Sequence, residues 1–179
     1  MTSEDSSLAN HTAIAGDVRV VLRENRGMLP EPDVAIVVFG ETPYAEFQGD
    51  VPDLAFRALT GEAELIARLK AQGIKVVSVF LSGRPLFVPK LINASDAFVA
   101  AWLPGSQGQG VADVLVARRD GTPARDFAGR LPFAWPADAR SPITAPLWPV
   151  GHGLDYRSSA SVGPLSEDPR VDLAELASE

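Results

Sequence analysis

The chain has no cysteine and two histidines among its 179 residues. Without thiols there is neither a disulfide framework nor thiolate chemistry. His11 and His152 lie far apart and outside any ligand spacing, so no metal site is expected. Basic charge is also short. Sixteen Lys and Arg stand against 23 Asp and Glu, for a formal net charge of -7. A non-specific nucleic-acid binder would need a basic face, so no nucleic-acid partner is expected. No apolar run approaches the ~20 residues of a transmembrane helix, so no membrane partner is expected either. The first twelve residues, M-T-S-E-D-S-S-L-A-N-H-T, lack the basic start and apolar core of an export leader. The chain is expected to be cytoplasmic or a piece of a larger protein. No internal repeat is present.

What is there is enough apolar material, 46% of the residues, for one domain with a sizeable core. The most informative stretch is Val34 to Asp50, V-A-I-V-V-F-G-E-T-P-Y-A-E-F-Q-G-D. Val34 to Phe39 is an unbroken apolar run that suits a strand buried on both faces of a parallel sheet. After Gly40 comes an acidic, aromatic loop broken by Gly and Pro. A loop leaving the carboxyl end of a central parallel strand is where α/β folds place their ligands. Its three carboxylates, Glu41, Glu46 and Asp50, are the first candidates for chemistry.

Around that stretch the pattern alternates strand and helix. Residues 1–16 read as a loose N-terminus, and Asp17–Arg23 as a short strand followed by turn residues to Pro32. Thr60–Gln72 reads as a helix, with Thr60 as N-cap, Glu62 and Glu64 in the first turn, and Leu65, Ile66 and Leu69 as its apolar stripe. Gly73 suits a left-handed stop. Ile74–Leu81 is a second buried strand, giving a βαβ unit with parallel strands. A short helix over Leu86–Ile92, a third buried strand over Ala97–Trp102 and a helix over Gln109–Ala117 follow, the last with Val111, Val114 and Leu115 inward. A last short strand is expected around Arg130–Phe133. Pro-rich irregular chain runs from Ser141, and residues 157–179 read as a linker or tail. The domain proper is expected over residues 17–156.

Each candidate has a plainer reading beside the chemical one. Glu41 and Glu46 could be solvated loop charges. Tyr44, Phe47 and Pro43 could instead shield a carboxyl and raise its pKa, as a general acid for glycoside cleavage requires. Such an acid needs a second carboxylate, about 5–5.5 Å away for retention. Asp96, Asp113 and Asp126 read as caps or salt-bridge partners rather than as that group. Ser82 follows a strand but sits in F-L-S-G-R, not in G-x-S-x-G, and reads as a structural turn. Arg84 reads as a brace for carbonyls or an acid. G-S-Q-G-Q-G does not match the dinucleotide fingerprint, so no cofactor is expected. Trp102 could stack on a sugar, though a core Trp is the better reading. The sequons at Asn10 and Asn93 are of a kind that arises by chance.

Five motifs, in order, carry a resemblance. They are G-E-T-P-Y-A-E-F-Q-G-D (Gly40–Asp50), L-S-G-R-P-L (Leu81–Leu86), S-D-A-F-V-A-A-W-L-P-G-S-Q-G-Q-G-V-A-D-V-L (Ser95–Leu115), D-F-A-G-R-L-P-F-A-W-P (Asp126–Pro136) and P-L-W-P-V-G-H-G-L-D-Y (Pro146–Tyr156). From Val34 to Tyr156 the chain resembles the second domain of glycoside hydrolase family three, the β-glucosidase and exo-β-glucanase family. The resemblance implies an α/β fold: a three-layer α/β/α sandwich, flavodoxin-like, on a mostly parallel sheet. It implies retaining hydrolysis of β-glucosides or short β-glucans, with the nucleophilic Asp supplied by a (β/α)₈ barrel domain. The acid/base then falls on Glu46, after Tyr44-Ala45, with Glu41, Tyr44, Asp50 and Arg84 supporting it. Full-length enzymes of this kind are often periplasmic or secreted. The family's usual opening, with a Trp-bearing loop, is not recognisable in residues 1–33. A truncated domain that is inactive alone is therefore expected. A non-catalytic module docking on a separate barrel subunit, and a small flavodoxin-like ligand binder, remain as alternatives.

Overall fold

In the computed structural model, residues 32–57 and 61–173 are described. The expected strand at Asp17–Arg23, the loose N-terminus and the Thr60 cap lie outside them. The elements run β1 (Val34–Gly40), α1 (Glu62–Ala71), β2 (Lys75–Leu81), α2 (Pro89–Ala94), β3 (Ala97–Trp102), α3 (Gly108–Leu115), β4 (Trp135–Pro136) and β5 (Pro146–Trp148). The first three strands form a parallel sheet in the order β1-β2-β3. The chain is an α/β domain, as its pattern of alternating elements predicts.

Helix α1 follows its sequence signals closely. Glu62 and Glu64 occupy the first turn, and Arg68 and Lys70 the last, so the charges complement the helix dipole. Leu65, Ile66 and Leu69 are buried, and Gly73 takes the left-handed φ of 81°. Residue 61, a glycine at φ 77°, is the observed N-cap. Helix α2 begins later than expected, because Pro89 stands at the start of its first turn. There its missing N–H costs nothing, whereas inside a helix it would break the ladder. Leu86, Phe87 and Val88 are instead buried ahead of the helix, Phe87 bridging Ala55 in parallel and Val88 standing as the N-cap.

The core gathers Val37, Phe39, Leu65, Ile66, Leu69, Val76, Phe80, Leu91, Ile92 and Trp135. Trp135 is the hub of a ring cluster, with centroids 6.4 Å from Phe80, 6.2 Å from Phe98, 6.1 Å from Trp102 and 6.2 Å from Trp148. Trp102 is thus a packing residue. Ser78, fully buried in β2, is satisfied by Ser95 Oγ at 2.6 Å, and that hydroxyl also reaches Leu91 O at 2.7 Å. These contacts lock the middle of β2 to the end of α2.

Several expectations need correction. β1 is an edge strand among the described residues, not a central one, and it is covered on one face only. Val37 and Phe39 are buried, but Val34, Ile36 and Val38 are exposed on the opposite face. An all-apolar run conceals its own period of two, so it does not tell which face is covered. β3 and α3 are half-buried, and α3 has no fully buried residue. The last strand lies at Trp135–Pro136, pairing antiparallel with β5, not at Arg130–Phe133. Leu131 does exchange backbone bonds with His152 O and the Gly151 N–H at 2.8 and 2.9 Å. Pro132 has no N–H to carry that ladder on.

The segment after Tyr156 runs back over the domain. Asn93 accepts from Leu165 N and donates to Leu165 O at 2.8 and 2.9 Å, and Ala139 N donates to Pro169 O at 2.9 Å. The sequon at Asn93 therefore has its amide already engaged.

Candidate active site

Three loops leave the carboxyl ends of β1, β2 and β3, and the candidate residues collect on the first two. Gly40 ends β1 against Leu81, the last residue of β2. A Cβ at position 40 would lie 2.0 Å from Leu81 O. Only glycine lets the two strands run this close at the mouth of the loop. Glu41 N donates to Leu81 O at 3.0 Å, which extends the pairing by one bond and fixes where the next side chain emerges.

That side chain, Glu41, is clamped. Arg84 Nε donates to Glu41 Oε1 at 2.9 Å, and Arg84 Nη2 reaches the same oxygen at 2.8 Å. Ser82 Oγ lies 2.7 Å from Glu41 Oε2 and 2.6 Å from Arg84 O. Its one proton serves one acceptor at a time. The Arg84 N–H donates back to Ser82 Oγ at 3.2 Å. The reading of Ser82 and Arg84 as structural groups holds, and Glu41 is their partner.

Arg84 also reaches the far end of the loop. Its Nη1 donates to Gly49 O at 2.6 Å, and its guanidinium lies 5.0 Å from the Tyr44 ring centroid, within cation–π range. Gly49 is pressed against that ring too, for a Cβ there would fall 2.1 Å from Tyr44 Cε2. One guanidinium thus ties the start of the loop, its middle and its end.

Between these ties the chain turns outward. Residues 46–49 form the turn, held by Gln48 N to Ala45 O and Asp50 N to Phe47 O, each at 3.1 Å. Glu46 opens this turn. It is exposed and has no hydrogen bond or ion pair among the described residues. The aromatic shielding expected around it is not present, because Tyr44 and Phe47 are themselves exposed. Phe47 takes a left-handed φ of 68°. Asp50 is exposed as well.

The other acids read as caps and bridges behave as such. Asp96 accepts from Val76 N at 2.9 Å and pairs with Lys70 and Lys75. The hydrogen bond from Val76, together with those lysines, holds its carboxyl below the usual range. Asp113 accepts from Gln109, and Asp126 from the amides of Phe127 and Tyr156. Sequence reasoning passed over Asp53. It is buried and forked to Arg57 at 3.0 and 2.8 Å. Burial pushes its carboxyl up, but the bonds from Arg57 and Ala55 N win and lower it. The i, i+4 spacing of Asp53 and Arg57 was the available signal.

A parallel α/β sheet with a carboxylate loop at its carboxyl edge is a ligand-site architecture. Residues 11–156 match the family model described as the glycosyl hydrolase family 3 C-terminal domain, and the chain belongs to that family. The match reaches further toward the N-terminus than the five motifs do. The chain is 32% identical over 138 residues to a lysosomal beta glucosidase of Dictyostelium discoideum, covering 69% of this chain and 16% of that protein. It is 28% identical over 159 residues to a periplasmic beta-glucosidase of Salmonella typhimurium, covering 70% and 19%. Among solved structures, an exo-1,3/1,4-beta-glucanase of Pseudoalteromonas sp. superimposes with a TM-score of 0.72 at 50% identity, over 78% of this chain and 18% of that one. A beta-glucosidase from Listeria innocua, at 22% identity and a TM-score of 0.55, shares the fold. The chain spans less than a fifth of the length of the curated relatives it matches.

Proposed function

We propose that this domain supplies the proton donor of a retaining β-glucosidase or exo-β-glucanase, and that Glu46 is that donor. The observation that carries the reading is the contrast within the loop. Glu41 is consumed by Arg84 and Ser82, while Glu46 stands on an exposed turn with no partner. A carboxyl with no internal partner, at the carboxyl edge of a parallel sheet, is free to meet a substrate. The 50% identity to an exo-1,3/1,4-beta-glucanase supports β-linked glucans as the substrate class.

In this mechanism Glu46 protonates the leaving glycosidic oxygen while a carboxylate from a second, (β/α)₈ barrel domain attacks the anomeric carbon. The glycosyl–carboxylate ester is then hydrolysed by a water that Glu46 deprotonates. Glu41, Tyr44 and Arg84 hold the loop in shape, and Asp50 flanks it. This chain offers one carboxyl of the two, so hydrolysis awaits the barrel. The name of the Salmonella relative supports a periplasmic or secreted setting for the whole enzyme.

In the chain joined to a family barrel domain, Glu46→Ala is expected to slow glycosides with poor leaving groups by about 10²–10⁴-fold. Activated aryl glycosides, whose leaving groups need little protonation, should lose far less. Equal losses on both would refute the acid/base role. The second reading, a non-catalytic module on a separate barrel subunit, draws on the exposed apolar face of Val34, Ile36 and Val38. It requires that a barrel subunit bind the chain while Glu46→Ala changes no rate.

A further inference from the structure

Phe47 is the least expected side chain at this rim. It is 78% exposed and sits at φ 68°, a region that L side chains other than Asn and Asp rarely occupy. Its ring makes no ring contact among the described residues. The turn that holds it outward is fixed by the bonds from Asp50 N to Phe47 O and from Arg84 Nη1 to Gly49 O. A disfavoured φ held at a fixed turn motivates a functional hypothesis for the ring it presents. Gly83 lies beside two further exposed side chains, Leu103 and Tyr44, at ordinary contact distance. A Cβ there would lie 3.5 Å from Leu103 Cδ1 and 3.8 Å from Tyr44 Oη. Leu103 is 73% exposed.

We propose that the Phe47 ring is a stacking platform for the glucose unit on the leaving-group side of the bond to be cleaved. This rests on Glu46 being the proton donor. A donor must come within hydrogen-bond reach, about 3 Å, of the glycosidic oxygen. Phe47 is its chain neighbour, with Cα atoms about 3.8 Å apart, so the same fixed turn carries both the donor and the ring. The unit carrying the anomeric carbon must face the nucleophile from the other domain, which leaves the departing unit for this rim. A β-glucopyranose carries its hydroxyls equatorially and presents axial C–H groups on its faces. Those C–H groups complement the electron-rich face of an aromatic ring. Phe47 therefore sets the preference for a glucan or aryl leaving group over a small alkyl one.

The test uses the full 179-residue chain, with cellotriose and laminaritriose titrated into it while backbone amide NMR signals are followed. The expected result is millimolar-range binding that shifts the amides of Phe47 to Asp50. Phe47→Ala and Phe47→Gly should both weaken it at least about fivefold, and Phe47→Trp should preserve it. Phe47→Gly relieves the φ while removing the ring, so retained binding in that variant would overturn the platform. Shifts that Phe47→Ala does not change, or no shifts at all, would also overturn it. So would a Phe47 amide that responds to an added barrel domain and never to sugar, since the ring would then be a protein contact. The titration requires neither turnover nor a barrel domain, so its failure is distinguishable from failure of the leaving-group test on Glu46→Ala.

Discussion

Glu41 and Glu46 lie on one loop, yet their surroundings are opposite. Glu41, with its side chain 15% exposed, is held by a guanidinium and a hydroxyl from the loop after β2. Glu46, on the turn, touches nothing charged. The difference lies in the neighbouring strand. Glu41 follows Gly40 directly, and Gly40 lies so close to Leu81 that Glu41 falls beside Ser82 and Arg84. Five residues further on, the chain has turned away from the sheet. A rigid base and an open tip within ten residues is what a site needs, because the working group is held in place without being used up.

Breaking the base at its narrowest point should have the largest effect. Gly40→Ala puts a methyl where Leu81 O already stands, and a backbone oxygen cannot swing aside. A loss on the order of 3 kcal/mol is expected, seen as a fall in melting temperature of roughly 6–12 °C. Loss of the β1–β2 contact should also free the loop amides, so hydrogen exchange at Glu41 and Asp50 should quicken in the same variant. An unchanged melting temperature would mean that the strands part easily there, and the base would not be rigid.

Glu41→Gln tests the clamp itself with a smaller change. It removes the charge opposite Arg84 and leaves a guanidinium that is 24% exposed without its carboxylate. About 1–3 kcal/mol should be lost. Arg84→Met should cost a similar amount, and the double variant less than the sum of the two singles, since each single change already breaks the same bond. Additive losses in a denaturant series would show that the pair does not act as a unit.

Much of this was legible in the sequence and part was not, for definite reasons. Helix α1 was readable because its charges, apolar stripe and Gly73 are local signals. The parallel pairing of β1 and β2 followed from the length of the crossover. The exposure of Ile36 and Val38 was not readable, since an all-apolar strand reads the same from both faces. The start of α2 is written in Pro89, which suits a first turn, while the apolar run Leu86–Ile92 points to an earlier start. Within the site, Arg84 was identified as a brace, but its target 43 residues earlier in the chain is a tertiary fact. The segment around Leu165 looked like a tail because its link to Asn93 is a side-chain bond across 72 residues.

The smallest effect is expected at the tip, and it is what gives the comparison its meaning. Glu46→Gln keeps the size of the side chain and removes its charge. Because no partner loses a bond, stability should change by no more than about 0.5 kcal/mol. Set beside the 1–3 kcal/mol expected for the same substitution at position 41, a near-zero value would show that Glu46 contributes nothing to the fold. A carboxylate without a structural task, on a loop that Arg84 and Gly40 hold in shape, is one that activity can account for. If chemical denaturation instead gave equal losses for the two substitutions, Glu46 would have a partner in the folded chain. The division between base and tip would then be lost, and the proton donor would have to be sought elsewhere.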